Sequence, residues 1–122
     1  MAAEEKCYEI TWDEATGIAR TDWLPGAVCG IEEARAVDAE IKALGQDKIR
    51  SLVDLREVAS IDRPAREFFM DRNPNYRAVA LVAGSASTRM LANFFLGLKR
   101  GSIPVKMFTS EADAVTWLQA QP

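Results

Sequence analysis

The sequence contains no histidine, and only two of its 122 residues, Cys7 and Cys29, are cysteines. Histidine is the commonest general base and a common transition-metal ligand, and two isolated cysteines cannot supply the four ligands of a structural zinc site. We therefore expect no metal site and no cofactor. In a reducing compartment the two thiols are expected to be unpaired and partly buried.

The chain also lacks a surplus of basic residues and a long apolar run. Its 15 Lys and Arg are outnumbered by 18 Asp and Glu, and the formal net charge is -3. Nucleic-acid-binding domains use a basic face to contact phosphates, so no nucleic-acid partner is expected. The start "MAAEEKC" has acids where a signal peptide has a basic and then an apolar region. We expect no membrane span and a cytoplasmic location.

The residues that are present predict one folded domain over 1–122. Hydrophobic residues make up 48% of the chain and charged residues 27%, which is typical of a soluble globular protein. "CYEITW" alternates between apolar and polar residues, and together with "GIARTDWL" it predicts an N-terminal β-hairpin. From Ile31 to Leu44 apolar residues recur at helical spacing, and Gly45 follows, which predicts an amphipathic helix.

Strands and helices then alternate along the rest of the chain. The expected strands are "SLVDL", "YRAVALVAG" and "IPVKMF", and the expected helices are "RPAREFFMDR", "SASTRMLANFFLGLKR" and "SEADAVTWLQA". The order is β-β-α-β-α-β-α-β-α. This alternation predicts an α/β fold with a mostly parallel five-stranded sheet, an N-terminal β-hairpin and about four helices.

Several segments resemble a known family. Residues 54–62 read D-L-x-x-V-x-x-I-D, which resembles the step from the central strand to the next helix in STAS domains, the anti-sigma-factor antagonist (SpoIIAA-like) family. "IPVKMFTSEADAVTWL" resembles the end of that fold. Together with "AVALVAGSASTRMLANFFLGL", the chain after about residue 30 is similar to small stand-alone bacterial STAS-like proteins of unassigned function. The resemblance implies a single STAS-like domain.

The resemblance also identifies a departure from the family. In its signalling members a serine follows the aspartate that corresponds to Asp62, and phosphorylation of that serine decides whether the partner binds. Arg63 stands there in this sequence. Arginine cannot accept a phosphoryl group, and its charge is opposite to that of a phosphoserine. The resemblance therefore implies the fold and a partner-binding surface, without the switch at this position.

The segment from Asp54 to Arg66 contains the first candidate site. Asp54 ends a buried strand, where ligands bind in open α/β sheets, but an aspartate there also organises turns, which we favour. Asp62 is expected to cap the next helix. Arg63 and Arg66, with Arg56, could form a patch that binds an anion or a partner. We favour the alternative, in which they pair at the surface with the neighbouring acids and neutralise them.

The second candidate site lies in "GSASTR" and the helix after it. Ser85 and Ser87 are expected to be helix caps, but they could also accept a phosphoryl group or bind an anion beside Arg89. Phe94 and Phe95 lie about 100° apart on a helix, so both cannot point straight into one sheet. One of them could contact a second subunit or line a lipid-like pocket. The candidate binding residues are Asp54, Asp62, Arg63, Arg66, Ser85, Ser87, Arg89, Phe94 and Phe95.

The function predicted from these patterns is a non-catalytic, STAS-like module that binds another protein or itself as a homodimer. The alternative is a carrier or sensor of a small apolar or anionic ligand held between helix and sheet. An enzyme would have to use carboxylates, serines or a thiol without histidine, and its best constellation would be Asp54 and Asp62 as an acid–base pair. Cys7 and Cys29 have no local basic cluster that would lower the pKa of a thiol nucleophile. We expect no catalytic activity.

Overall fold

The computed structural model describes residues 6–71, 76–86, 88–90 and 103–122. Strands β1 (Tyr8–Asp13) and β2 (Ile18–Trp23) form the predicted antiparallel hairpin, in which Tyr8 lies opposite Trp23. The turn between them ends at Gly17, whose φ of 71° favours glycine because it has no Cβ.

The remaining elements follow in the predicted order, with two short strands added. The strands are β3 (Val28–Cys29), β4 (Ile49–Asp54), β5 (Ser60–Ile61), β6 (Tyr76–Val82) and β7 (Val105–Phe108). The helices are α1 (Ile31–Ala43), α2 (Arg63–Asp71) and α4 (Glu111–Gln119), and α3 begins at residue 86, with residues 86 and 88–90 described.

The main sheet has five strands in the order β1-β2-β4-β6-β7. The β1–β2 pair is antiparallel, and β2–β4, β4–β6 and β6–β7 are parallel, which confirms the predicted α/β fold. Strands β3 and β5 form a separate parallel pair that the sequence analysis missed. Each is only two residues long, which is too short for an alternating pattern to be visible.

The main sheet is packed on both faces, as expected of its apolar central strands. Helices α1 and α2 contribute Val37, Ile41 and Ala65 to the core on one face. Helix α4 contributes Ala114 and Leu118 to the core on the other face. In the described ranges, no helix combines the length and the apolar character needed to cross a membrane.

The alternation of side chains along the strands positions the polar residues at one end of the sheet. Leu52 of β4 packs in the core under α4. Because successive residues of a strand point to opposite faces, Asp54 lies on the same face as Leu52. Arg20 of β2 lies on that face too, since Ile18 packs in the same core. Charged side chains from two strands therefore converge beside the start of α4.

Candidate functional site

Asp54 lies at the carboxyl end of β4, and its side chain is only 13% exposed. Its Oδ1 accepts hydrogen bonds from the backbone N–H and from Nε of Arg56, both at 3.0 Å, and its Oδ2 accepts from Arg56 Nη2 at 2.6 Å. The carboxylate thus holds the turn after β4, as in the role that the sequence analysis favoured.

Two residues distant in sequence join this pair. Arg20 donates from Nη2 to Asp54 at 3.4 Å and from Nε to Asp22 at 2.8 Å. Glu111, the first residue of α4, accepts from Arg20 Nη1 through Oε2 and from Arg56 Nη2 through Oε1, the latter at 3.0 Å. We call these five residues the edge cluster. Its three carboxylates outnumber its two guanidinium groups by one.

The edge cluster holds two of its carboxylates, Asp54 and Glu111, in their charged forms. Burial raises the pKa of Asp54, but the hydrogen bonds and the positive charges of Arg56 and Arg20 outweigh it, so the pKa of this carboxyl lies below its usual range. The hydrogen bond from Arg20 lowers the pKa of Glu111, and Arg56 contributes further. Carboxylates held in this way remain ionised at neutral pH, which is unfavourable for a general acid.

The segment after β6 passes close to the edge cluster. A Cβ added to Gly84 would lie 3.4 Å from Arg56 Cγ. Ser85 Oγ accepts from the backbone N–H of Thr88 at 3.1 Å, and the buried Thr88 Oγ1 accepts from the N–H groups of Gly84 and Ser85 at 3.0 Å. Ser85 therefore caps the start of α3, as expected.

Of the other candidates near α3, Arg89 lies within the described residues and three lie outside them. The structure places Arg89 on the surface, one residue before Met90, which is 72% exposed. Ser87, Phe94 and Phe95 lie outside the described residues. The predictions for these three residues therefore stay predictions.

Asp62, Arg63 and Arg66 lie at the start of α2, on the opposite side of the sheet from α4. Asp62 Oδ1 accepts from the N–H of Ala65 at 3.0 Å, which is the expected helix cap. Arg63 is 79% exposed on the surface and donates to Glu67 at 3.0 Å. Arg66 donates to the carbonyl oxygen of Ile61 at 3.2 Å. The structure thus places Asp62 apart from the edge cluster and does not bring it together with Asp54.

Residues 11–121 match the family described as "Domain of unknown function (DUF7793)". The chain belongs to this family. A protein of unknown function from Arthrobacter sp. FB24 is 35% identical, with 97% of this chain and 96% of that one covered and a TM-score of 0.36. No curated protein matches the chain.

The second of these two solved structures is similar to the chain in fold. It is an uncharacterized protein of the DUF3478 family from Shewanella loihica PV-4, described as having a SpoIIAA-like fold. The TM-score is 0.69, the identity is 13%, and the match covers 97% of this chain and 98% of that chain. At this identity the match shows the fold alone. It confirms the STAS-like fold that the sequence resemblance implied.

Three members of the edge cluster, Arg20, Asp22 and Glu111, are not among the residues predicted from the sequence. Arg20 and Glu111 are separated by 91 positions, so no local motif links them. The sequence nevertheless contained a signal for this cluster. Arg20 and Asp22 lie on one face of β2, and Glu111 lies shortly after the last strand, next to Ser110, the N-cap of α4. Charges at the carboxyl ends of parallel strands meet at the same edge of the sheet.

Proposed function

We propose that this protein is a non-catalytic, STAS-like protein-binding module that carries a permanent positive charge where the signalling members of the resembled family carry a phosphorylated serine. The observation that supports the proposal is the position of Arg63. Its side chain is 79% exposed at the first residue of α2. An exposed arginine is well suited to an interface, where arginine is enriched.

The backbone below Arg63 is held firmly in place. Asp62 donates its N–H to the carbonyl oxygen of Cys29 at 2.9 Å and caps α2 with its carboxylate. Cys29 follows Val28, which pairs with Ser60 in the small sheet and is 60% exposed. An exposed aliphatic side chain and an exposed arginine thus belong to segments that backbone hydrogen bonds join. A preorganised surface loses less entropy when a partner binds, which favours binding.

The described candidates for catalysis favour the non-catalytic proposal. Asp54 is held ionised by Arg56 and Arg20, whereas Asp62 accepts from the N–H of Ala65 and caps α2. Cys29 is fully buried, and burial, with smaller contributions from Cys7 and Glu33, raises the pKa of its thiol to about 12. A thiol with so high a pKa is a poor nucleophile near neutral pH.

The test is native mass spectrometry of the protein purified from its own host, followed by the intact mass after denaturation. Three forms are compared: the wild type, Arg63→Glu, and the control Arg35→Glu, which makes the same charge change at an exposed position of α1. We expect the wild type and Arg35→Glu to retain a dimer or a protein complex and Arg63→Glu to lose it. The thermal stability of Arg63→Glu is expected to stay nearly unchanged, because surface ion pairs contribute little.

Two results would contradict the proposal. One is a wild-type protein that is found only as a bare monomer, or an assembly that Arg63→Glu and Arg35→Glu affect equally. The other is a small molecule that is released on denaturation while no protein complex is seen. The second result would favour the predicted carrier or sensor of a small ligand.

A further inference from the structure

Glu111 differs from the other two carboxylates of the edge cluster in how it reaches the arginines. Asp22 and Asp54 each lie two residues from the arginine that they bind most closely, Arg20 and Arg56 respectively. Glu111 comes from a different element, α4. Each of its two carboxylate oxygens accepts from a different guanidinium group. Two arginines that hold one carboxylate are an arrangement that proteins use to bind carboxylate and phosphate groups.

We infer that Arg20 and Arg56 form an oxyanion-binding site that the chain's own Glu111 occupies, and that an external phosphate or carboxylate group competes with Glu111 for it. The site lies at the carboxyl ends of β2 and β4. This inference does not rest on the proposed function, because none of its residues belongs to the surface around Arg63.

The charges of the edge cluster explain how Glu111 controls the site. Without Glu111, the two guanidinium groups are balanced by Asp22 and Asp54. One further negative group can be accommodated there, as the carboxylate of Glu111 itself demonstrates. With Glu111 in place, a second anion would add to an excess of negative charge. Glu111 therefore acts as an internal competitor.

The partial exposure of Glu111 and Arg56 allows an external anion to replace the Glu111 carboxylate without unfolding of the protein. The side chains of Glu111 and Arg56 are 41% and 37% exposed, so both can change partners at the surface. Gly84 leaves the flank of Arg56 free of a side chain, since a Cβ there would lie 3.4 Å from Arg56 Cγ. Helix α4 itself stays attached through Ala114 and Leu118 in the core.

The experiment is a titration with inorganic phosphate at constant ionic strength, in which the arginine Nε–H signals are followed by NMR. The forms compared are the wild type, Glu111→Gln, the double variant Glu111→Gln with Arg56→Ala, and the control Glu67→Gln. The control Glu67→Gln removes the carboxylate that pairs with the exposed Arg63. Neither residue belongs to the edge cluster, so this variant leaves the partners of Arg20 and Arg56 unchanged.

Glu111→Gln is expected to bind phosphate about tenfold more tightly than the wild type, since two partly exposed ion pairs no longer compete. The gain should disappear in the double variant and be absent in Glu67→Gln. An unchanged affinity in Glu111→Gln, or an equal gain in Glu67→Gln, would overturn the inference. If Glu111→Gln does not fold, Glu111→Asp keeps an acid at the start of α4 with a shorter reach and should show a smaller gain in the same direction.

Discussion

Arg50 of β4 donates a hydrogen bond from Nε to the carbonyl oxygen of Leu118 near the end of α4, at 2.8 Å. A second bond, from Nη2 to the carbonyl oxygen of Gln121, has the same length. At the other end of α4, Glu111 binds Arg20 and Arg56. An acid at the start and a cation at the end of a helix both complement the helix dipole. Charge-assisted bonds thus tie both ends of α4 to the sheet.

The Arg50 bonds predict the effect of removing the guanidinium. Arg50→Met keeps an apolar stem but leaves the two carbonyl oxygens without their charged donor. We expect a loss of about 2 kcal/mol in the free energy of unfolding, since hydrogen bonds to charged groups are the stronger ones. Urea unfolding should show a lower midpoint with an unchanged slope. The control Arg63→Met removes an exposed arginine; if it has an equal effect, the assignment to Arg50 is wrong.

A second prediction concerns Asp54 and pH. An unfolded aspartate has a pKa of about 3.9, and the folded pKa of Asp54 lies lower. Its contribution to stability is therefore fully present above the unfolded pKa and is lost as the pH falls through the folded pKa. Asp54→Asn should cost about 2 kcal/mol at pH 7. The difference from the wild type should begin to shrink below about pH 4, where the carboxylate becomes protonated in the unfolded chain, and should shrink further as the pH falls through the lower folded pKa.

Unfolding measurements on the acid and neutral sides of that pKa test this prediction. Asp13→Asn is a suitable control, because Asp13 Oδ1 accepts from a backbone group, the N–H of Ala15 at 3.0 Å, and an amide oxygen can accept the same bond. Its effect should be small at every pH. A constant difference between Asp54→Asn and the wild type across the range would show that the ion pairs of Asp54 do not stabilise the fold.

The parts of the fold that the sequence predicted correctly are those that depend on local patterns. The helix from Ile31 ends as expected, with Leu44 at its cap and Gly45 in a left-handed conformation at φ 68°. The helix predicted from "SEADAVTWLQA" forms as α4, and its first residue in that stretch, Ser110, caps it by accepting from the N–H of Asp113 at 3.2 Å. Spacing, caps and glycines act within a few residues, so they can be read directly from the chain.

The parts that the sequence did not predict depend on long-range contacts. Arg56 was expected to pair with nearby acids, and it does bind Asp54, but its bond to Glu111 spans 55 positions. The β3–β5 pair likewise joins residues about thirty positions apart, such as Val28 and Ser60. Such contacts follow from the packing of whole elements, and a single sequence gives no pairing between them.

A third prediction concerns the cysteines. Burial raises the pKa of Cys29 to about 12, and burial, followed by the charge of Glu33, also raises the pKa of the half-buried Cys7. In the variant Cys7→Ser, iodoacetamide should modify Cys29 at pH 8 only after unfolding in urea. Intact mass measures the modification. Rapid modification of Cys29 in the folded variant would show that its thiol is more accessible and more acidic than the structure indicates.

The last prediction separates the two roles of Asp62, as a helix cap and as a candidate partner-binding residue. Asp62→Ala removes the acceptor for the N–H of Ala65 and should cost about 1 kcal/mol of unfolding free energy. Asp62→Asn keeps an acceptor oxygen and should retain nearly all of the stability. Sedimentation and thermal unfolding of both variants measure association and stability separately. If the charge of Asp62 contributes to binding, Asp62→Asn should weaken the assembly although it folds normally. If only Asp62→Ala weakens the assembly, and does so in proportion to its loss of stability, Asp62 acts as a helix cap alone. Arg63 would then be the charged residue at the start of α2 that contributes to binding.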